Sequence, residues 1–348
     1  MGKKYKRLYD QIIAEDNLQN AYKKASNGKK SSRGFLVFNE FAQAKLYQLH
    51  TQLINKTWQP QPYRVFTIYE PKKRIIGAPT FHDRIVHHAL CTIIEPIFDK
   101  SFLPYSFACR TNKGTHAGVK FVQSKLRTGV YSYYLKTDFK AFFPSIDRPI
   151  LHKQIRKKIS CQDTLNLIEQ IIPINGNGVP IGALTSQLSA NIYGNIIDQY
   201  LHHTLKVPFA RYMDDIIVLG NSQQELKKVK KQIEFFAKQE MKLDISRWQI
   251  APISRGINFL GYRIWASHKL LRRSSVTRAK RKIKKYTYYK DFEALHRFIG
   301  SWCGHIGWAD THNLRVELDE QHKIMASLVQ IKKRKRLSRQ QMLEKLIQ

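Results

Sequence analysis

The stretch ARYMDDIIVLG (210–220) places two adjacent aspartates, Asp214 and Asp215, between two short apolar runs. This pattern predicts a β-hairpin that holds both acids at its tip. Neighbouring carboxylates in apolar surroundings repel each other and lose hydration, so a cation must offset that cost. Asp is also common in turns because its side chain hydrogen-bonds to the backbone, but this explanation fits such an enclosed pair less well.

A third acidic position lies upstream, in YSYYLKTDFKAFFPSID (131–147). This segment begins as an aromatic strand that carries Asp138, and it must change direction at Pro144. Joining a nucleotide to a 3′ hydroxyl requires two divalent ions about 3.5–4 Å apart. Mg²⁺ prefers oxygen donors and is usually held by one or two carboxylates plus substrate phosphates. The three acids therefore predict a two-metal site, although Asp138 taken alone could be an ordinary strand-end residue.

The charge of the chain predicts a polyanionic partner. Sixty Lys and Arg residues against 26 Asp and Glu give a formal net charge of +34, which is a strong self-repulsion in a folded protein. Nucleic acid is the expected partner. A basic membrane-surface protein is the competing interpretation, but no apolar run approaches the roughly 18 residues that span a bilayer. The N-terminal stretch also lacks the apolar core of a signal peptide, so we expect a cytoplasmic protein with no membrane partner.

The flanking sequence predicts alternating helical and strand-rich regions. Residues 1–60 have helical periodicity on a basic background, and 63–79 contain two short strands joined by a Pro-Lys-Lys turn. The segment from Asp83 to Ile97 has the spacing of a buried helix. Residues 256–265 predict another strand pair, and the chain is expected to be helical and basic from Lys269 onward.

Several motifs in a fixed order resemble those of reverse transcriptases. YMDD (212–215) resembles the Y-x-D-D box, and LKTDF (135–139) resembles the preceding aspartate motif. A lone Y-x-D-D is a weak signal, but here the series is long and covers roughly residues 60–265. The other members of the series are similar to the fingers motifs of group II intron enzymes, the motif between the aspartate boxes and the primer grip: PKKRIIGAP (71–79), HDRIVHHAL (82–90), GVPIGALTSQLSAN (178–191) and FLGY (259–262).

The middle motif narrows the resemblance. This chain has Ile181-Gly182 and Ser186-Gln187 where most relatives have Gln-Gly and Ser-Pro. The I-G-x-x-x-S-Q form is similar to the reverse transcriptases of diversity-generating retroelements. This resemblance implies an RNA-directed DNA polymerase of the bacterial cytoplasm that makes error-prone cDNA from a template-repeat RNA, with errors chiefly opposite template adenine. It implies four partners: the template RNA, the cDNA/RNA duplex, dNTPs and a pentameric accessory variability protein.

The resemblance also implies an α+β fold of the right-hand polymerase type, with fingers, a palm built on an antiparallel sheet, and a helical thumb. The expected divisions are an N-terminal helical extension (1–60), fingers with part of the palm (61–130 and 148–205), palm (131–147 and 206–265) and a basic helical thumb (266–348).

Site roles follow from the resemblance, position by position. Asp138, Asp214 and Asp215 would be the catalytic acids that hold two Mg²⁺ ions, for which Mn²⁺ could substitute, and the Phe139 carbonyl would complete one metal site. The remaining positions would contact the incoming dNTP or the primer and template. The dNTP set comprises Lys72, Arg74, Phe143, Ile181, Gly182 and Gln187, and the primer and template set comprises Tyr212, Met213 and Gly261.

Some of these roles have plainer alternatives. Lys72 and Arg74 could be a solvated basic turn, and Phe143 could be a core aromatic instead of the residue that excludes a 2′ hydroxyl. Ile181 cannot make the polar contact of the Gln in relatives, which would remove roughly 1–3 kcal/mol of discrimination and contribute to error-prone synthesis. Gln249 stands where many relatives have a Lys thought to protonate pyrophosphate, so another group must serve or the step is slower.

Two other functions are compatible with parts of the sequence. One is a group II intron-type reverse transcriptase and maturase, against which we note that the chain ends soon after the predicted thumb, leaving no room for an endonuclease extension. The other is an inactive RNA-binding scaffold. Unneeded acids would weaken binding to a polyanion, so intact Asp138, Asp214 and Asp215 argue against it.

Overall fold

The computed structural model describes residues 4–69 and 73–322. Lys72 and the basic stretch after position 322 lie outside the described residues, so the roles predicted for them stay predictions. Among the described helices, none has both the length and the hydrophobicity needed to cross a lipid bilayer.

The described chain divides into two compact units, each with its own hydrophobic core. The first contains the residues up to Gly118 together with Val130–Pro252, and the second contains Val119–Gly129 together with the residues from Ile253 onward. The predicted boundaries between fingers, palm and thumb stay a prediction.

The N-terminal region of the first unit is helical, as its periodicity predicts. Leu49 and Leu53 lie one turn apart and are both buried, which explains why this basic segment folds onto the rest of the unit. Four helices form here: α1 (Tyr9–Ile13), α2 (Glu15–Ser26), α3 (Arg33–Asn39) and α4 (Ala42–Ile54).

A β-hairpin and a long helix follow. The predicted strand pair is β1 (Arg64–Ile68) and β2 (Arg74–Ala78), which are antiparallel, and the predicted buried helix is α5 (Phe81–Asp99). Thr80 caps α5, because its hydroxyl accepts a hydrogen bond from the Asp83 backbone N–H. The cap explains why the helix begins directly after β2.

A four-stranded antiparallel sheet forms the centre of the first unit, and its strand order is β4-β5-β3-β6. The strands are β3 (Tyr133–Phe139), β4 (Phe209–Tyr212), β5 (Asp215–Gly220) and β6 (Ile245–Pro252). Helix α6 (Thr115–Arg127) begins in the first unit and belongs mostly to the second. The remaining helices of the first unit are α7 (Phe142–Ser145), α8 (Arg148–Arg156), α9 (Gln162–Ile171), α10 (Leu184–Gln199) and α11 (Gln223–Met241).

The two faces of this sheet have different chemistry. Successive side chains of a strand point to opposite faces, so Lys136 and Asp138 share one face while Leu135 points to the other. Leu135, Ile216 and Val218 belong to the same buried cluster as the apolar side chains of α10 and α11. The helices therefore cover one face and leave the other to the polar side chains.

The second unit combines a small sheet with helices. The strand pair predicted at 256–265 is confirmed as β7 (Ile257–Phe259) and β8 (Tyr262–Ile264), but the expectation of helix from Lys269 onward is wrong at first, because Lys269–Leu271 pairs with β8 as β9. Three residues are too few to show a period, so only the pairing partner reveals this strand. The helices are α12 (Arg273–Tyr288), α13 (Phe292–Ile306) and α14 (His312–His322). The α+β class with an antiparallel sheet is confirmed.

Candidate active site

Strand pairing brings the predicted acids together. Asp138 of β3 lies directly opposite Asp215 of β5, and Tyr212 of β4 lies opposite Asp215 at the closed end of the β4–β5 hairpin. Side chains directly opposite each other in an antiparallel pair share a face and lie within about 4.5–5.5 Å at Cβ. Asp138 therefore meets the Asp214-Asp215 turn, as the sequence predicts.

The Asp138 and Asp214 carboxyl groups are in hydrogen-bonding contact. Burial, followed by the nearby charge of Asp138, raises the pKa of Asp214 from its usual 3.8 to about 6. Asp215 adds a smaller repulsion. When both carboxyl groups are ionised they repel each other, and a bound cation would relieve that repulsion.

Asp215 has a different neighbour. The Lys136 ammonium lies 2.9 Å from Asp215 Oδ2, and both side chains are largely shielded from solvent. Lys136 precedes Asp138 by two residues on β3, so it shares the face of the acids. It also lies directly opposite Gln249 on β6. Position 249 thus has no lysine, but Lys136 lies beside it on the adjacent strand, on the same face of the sheet.

The donor set fits a divalent ion that substrate completes. Within residues 4–69 and 73–322 no group of three His, Cys, Asp or Glu side chains is arranged to hold a metal ion. Asp138 and Asp214 nevertheless offer adjacent carboxylate oxygens, and Mg²⁺ is usually held by one or two carboxylates, waters and substrate phosphates. The structure brings this pair together and directs Asp215 towards Lys136. The Phe139 side chain is buried in the core, and the role of its carbonyl stays a prediction.

A buried arginine supports the turn from the other face of the sheet. Arg211 is 0% exposed and donates two hydrogen bonds to Asp198 of α10, at 2.7 and 2.8 Å. It also donates to the Met213 carbonyl at 3.1 Å and to Ser106 Oγ at 3.0 Å. Met213 has a φ of 55°, an unfavourable value for a residue other than glycine. Arg211 therefore fixes the strained residue that precedes Asp214.

Sequence reasoning missed Arg211, Asp198 and Lys136. One signal was present, since Arg211 is a charged residue in an otherwise apolar strand and must find a partner when buried. Nothing in the local pattern identified Asp198 as that partner. Lys136 lay within the aspartate motif, but its role as the neighbour of Asp215 depends on the pairing of β3 with β5.

The loop after Asp138 contacts the middle motif. Phe143 lies on α7, is half-buried and packs edge-on against Phe142, with ring centroids 6.0 Å apart. Its carbonyl accepts a hydrogen bond from the Val179 N–H at 2.9 Å, and the Ile146 carbonyl accepts one from the Gly178 N–H at 2.7 Å. The backbone that leads to Ile181 is thus anchored beside the acids.

The predicted dNTP residues Ile181 and Gly182 pack directly on β2. The Gly77 N–H donates to the Ile181 carbonyl at 2.9 Å. Gly182 has a φ of +125°, and a Cβ there would lie 2.8 Å from Ile76 Cγ2 and 2.9 Å from the Gly77 carbonyl oxygen. Only glycine allows this close approach. The middle motif therefore rests on the hairpin whose second strand begins at Arg74.

The remaining predicted residues lie at separate places. Arg74 is exposed at the start of β2, and Gln187 is half-buried in the first turn of α10. Tyr212 is half-buried on the same face as Asp215, whereas Met213 is buried. Gly261 belongs to the second unit, at the tip of the β7–β8 hairpin. The contacts predicted for these residues with dNTP, primer and template stay predictions.

Comparison with known proteins identifies the family. Residues 67–264 match the family model described as reverse transcriptase (RNA-dependent DNA polymerase). The group II intron-encoded protein LtrA of Lactococcus lactis subsp. cremoris is 24% identical over 372 aligned positions, covering 84% of this chain and 61% of LtrA. The chain thus spans about three fifths of that relative.

Two further proteins are similar to this chain. The retron Ec73 reverse transcriptase of Escherichia coli is 31% identical over 141 positions, covering 36% of this chain and 45% of the retron protein. Among solved structures, telomerase from Candida albicans in complex with a fragment of telomeric RNA has a TM-score of 0.48 and 12% identity, covering 82% of this chain and 61% of that chain.

The raised pKa of Asp214 predicts a pH-dependent stability. An acid whose pKa is raised by folding stabilises the protein at low pH, and this contribution is lost as pH rises from about 3.8 through about 6. We therefore expect Asp214→Asn to increase the free energy of unfolding in EDTA at pH 7 by on the order of 1–3 kcal/mol, with no gain near pH 4. Urea unfolding across this range measures it.

Asp215→Asn is the matched control, because it removes the carboxylate that Lys136 contacts and should give no gain at pH 7. Millimolar Mg²⁺ should stabilise the wild type and not Asp214→Asn. Equal stability of the wild type and Asp214→Asn at every pH would contradict the electrostatic account.

Variants of the buried Arg211 should separate its contribution to folding stability from its role in positioning the turn. Arg211→Met leaves the Asp198 charge buried without its cation and should destabilise the protein by about 3–5 kcal/mol in urea unfolding. Adding Asp198→Leu should restore most of that loss, because an apolar pair replaces the ion pair. The double variant should still lose the Mg²⁺-dependent stabilisation, since nothing then holds the Met213 carbonyl.

Gly194→Ala perturbs the same group without changing charge. A Cβ at Gly194 would lie 2.5 Å from the Arg211 guanidinium, whereas one at Gly34 would make an ordinary 3.5 Å contact with Phe81. Gly194→Ala should therefore weaken Mg²⁺-dependent stabilisation and Gly34→Ala should not. If the Arg211→Met, Asp198→Leu double variant responded to Mg²⁺ as the wild type does, Arg211 would have only a structural role.

Proposed function

Because this chain belongs to the reverse transcriptase family, we propose that it is an RNA-directed DNA polymerase that extends a primer along an RNA template. The observation that carries the proposal is the contact between the Asp138 and Asp214 carboxyl groups on the open face of the sheet. Segments predicted to bind the nucleotide pack around the loop that follows Asp138. A basic chain suits the nucleic-acid substrate.

The proposed mechanism assigns a task to each side chain. Asp138 and Asp214 would hold Mg²⁺, which when bound activates the 3′ hydroxyl and stabilises charge on the leaving group. Lys136 holds Asp215 beside this pair, and Arg211 fixes the backbone that presents Asp214. Arg74, with Lys72, would bind the triphosphate and neutralise its charge. Phe143 would lie under the sugar and exclude a 2′ hydroxyl.

We further propose that the enzyme serves a diversity-generating retroelement in the bacterial cytoplasm, with the pentameric accessory variability protein as partner. Support comes from Ile181-Gly182 and Ser186-Gln187 in the middle motif. The hydrogen bond from the Gly77 N–H to the Ile181 carbonyl fixes the backbone at position 181, so the apolar side chain of Ile181 has a defined position. A Gln at this position could hydrogen-bond near the nascent base pair, whereas Ile181 can make only van der Waals contacts there. Because that polar discrimination is missing, template adenine would be copied with errors.

A group II intron-type reverse transcriptase and maturase is the second candidate. It is favoured by the match to LtrA, which extends over 84% of this chain. The two candidates differ in the errors that they predict, because only the retroelement enzyme should misincorporate chiefly opposite adenine. Primer extension followed by sequencing of the cDNA separates them.

The catalytic assignment predicts the outcome of primer extension. With an RNA template, dNTPs and Mg²⁺, Asp138→Asn and Asp214→Asn should each lower the extension rate by about a thousandfold or more, because metal coordination contributes several kcal/mol to transition-state stabilisation. EDTA should abolish extension by the wild type. Asp244→Asn, the same change at an exposed acid on the neighbouring loop, should extend normally. Normal extension by Asp138→Asn would disprove the assignment.

Ile181 predicts the error spectrum. Ile181→Gln or Ile181→Asn should lower misincorporation opposite adenine by about tenfold, since a polar contact contributes roughly 1–3 kcal/mol of discrimination. Sequencing of cDNA from a template of mixed composition measures the rate at each base. Ile54→Gln, at an exposed site on α4, is the control. An unchanged spectrum in both Ile181 variants would show that this residue does not set fidelity.

A further inference from the structure

The outer surface of α11 has an unusual composition. The helix buries Leu226, Val229 and Ile233 against the sheet, and its opposite side is exposed. Four lysines and one phenylalanine on this exposed side lie within about 100° of the helix circumference and extend over about 17 Å along the axis, since an α-helix has 3.6 residues per turn. We call this set the α11 stripe: Lys227, Lys228, Lys231, Phe235 and Lys238.

The stripe is positively charged and its charges have no acidic partners within the described part of the chain. None of the four lysines forms an ion pair with a carboxylate there. Glu225 accepts a hydrogen bond from the Asn221 N–H at the start of the helix, and Glu234 lies at the edge of the stripe. Glu234 offsets part of this charge, since it lies one turn from Lys231 and from Lys238, and the excess positive charge of the four lysines is left for a partner to neutralise.

Phe235 distinguishes this stripe from an ordinary solvated helix surface. Its side chain is 68% exposed, with Lys231 one turn before it and Lys238 one turn after it. An aromatic ring among cations is the arrangement by which proteins bind single-stranded nucleic acid, since lysines neutralise phosphates while a base stacks on the ring. A duplex keeps its bases stacked within the helix and offers none to the ring.

The stripe lies away from the catalytic acids. Leu226 packs beside Gly220, and the Lys230 ammonium lies over the Trp248 ring at 5.2 Å. Both strand positions point to the face opposite Asp138 and Asp215. Thus α11 covers the back of the sheet, and the stripe is on the far side of α11. A strand bound there cannot be the primer end held at the acids.

We propose that the α11 stripe is a second RNA-binding site, which holds a single-stranded segment of RNA outside the polymerase site. The lysines contact consecutive phosphates and Phe235 stacks on one unpaired base. The choice of RNA over other single strands rests on the proposed function, because the template is then the long strand available. The site would retain template RNA while its other end is copied.

A binding experiment on the full chain tests this without turnover. The polymerase site is first saturated with an unlabelled RNA–DNA hybrid duplex, and a labelled oligouridine of about 12 nucleotides is then titrated at several KCl concentrations. For single strands, each phosphate contact contributes about 0.7 to the slope of log affinity against log salt. The Lys227→Gln, Lys231→Gln, Lys238→Gln triple variant should lower that slope by about 2.

Two variants sharpen the result. Phe235→Leu keeps an apolar side chain and the charge, so it should weaken oligouridine binding about tenfold with no change of slope. A control triple variant removes the same charge from three dispersed exposed lysines, Lys6, Lys100 and Lys157, and should keep the wild-type slope. Extension of a short primer on a short template should be normal in all three variants.

The proposal is overturned if the stripe variant and the dispersed control have the same salt slope, or if Phe235→Leu binds oligouridine as the wild type does. Because the measurement needs no nucleotide addition, these outcomes leave the polymerase assignment untouched. A chain that fails to extend any primer would contradict the proposed function, while a lowered slope in the stripe variant would still support the RNA site.

Discussion

The contact between the Asp138 and Asp214 carboxyl groups is the constraint on which the site depends. Two like charges meet in a partly buried place, which is unfavourable unless the scaffold enforces it. The pairing of β3 with β5 enforces this contact, because the register of the sheet fixes which residues lie opposite each other and which face each side chain occupies. A slip of one residue would point Asp138 into the core and separate the pair.

The scaffold beneath the turn uses charge for geometry more than for stability. Buried ion pairs such as Arg211 with Asp198 often contribute little net stability, because desolvation offsets their attraction. Their hydrogen bonds are directional, however, and Arg211 reaches the Met213 carbonyl as well. On the other face of the sheet, Lys136 pairs with Asp215, so that Asp138 and Asp214 are left in contact with each other.

The large positive charge of the chain is also organised by the fold. Helix α11, which covers the back of the sheet, buries its apolar side and directs lysines outward. The middle motif instead meets the hairpin of β1 and β2 through backbone contacts, with Gly182 against Gly77. Catalytic geometry thus depends on close backbone packing, whereas the capacity to bind a polyanion is distributed over exposed helix surfaces.

The sequence by itself determined the local elements: the hairpin with Asp214 and Asp215 at its turn, the strand that carries Asp138, the buried helix predicted from Asp83 to Ile97 and the helical N-terminal region. These follow from periodicity and turn chemistry, which are encoded in neighbouring residues. It also gave the order of motifs that identified the family. Even so, it missed the strand Lys269–Leu271, which three residues alone could not reveal.

Only the tertiary structure decided which side chains meet. The pairing of Arg211 with Asp198, the approach of Lys136 to Asp215 and the packing of Gly182 on β2 all join residues far apart in the chain. The sequence predicted three equivalent acids, and the fold made them unequal by placing a cation beside one. The physical reason is that distance and burial set the strength of a charge interaction, and both arise only when separate segments pack together.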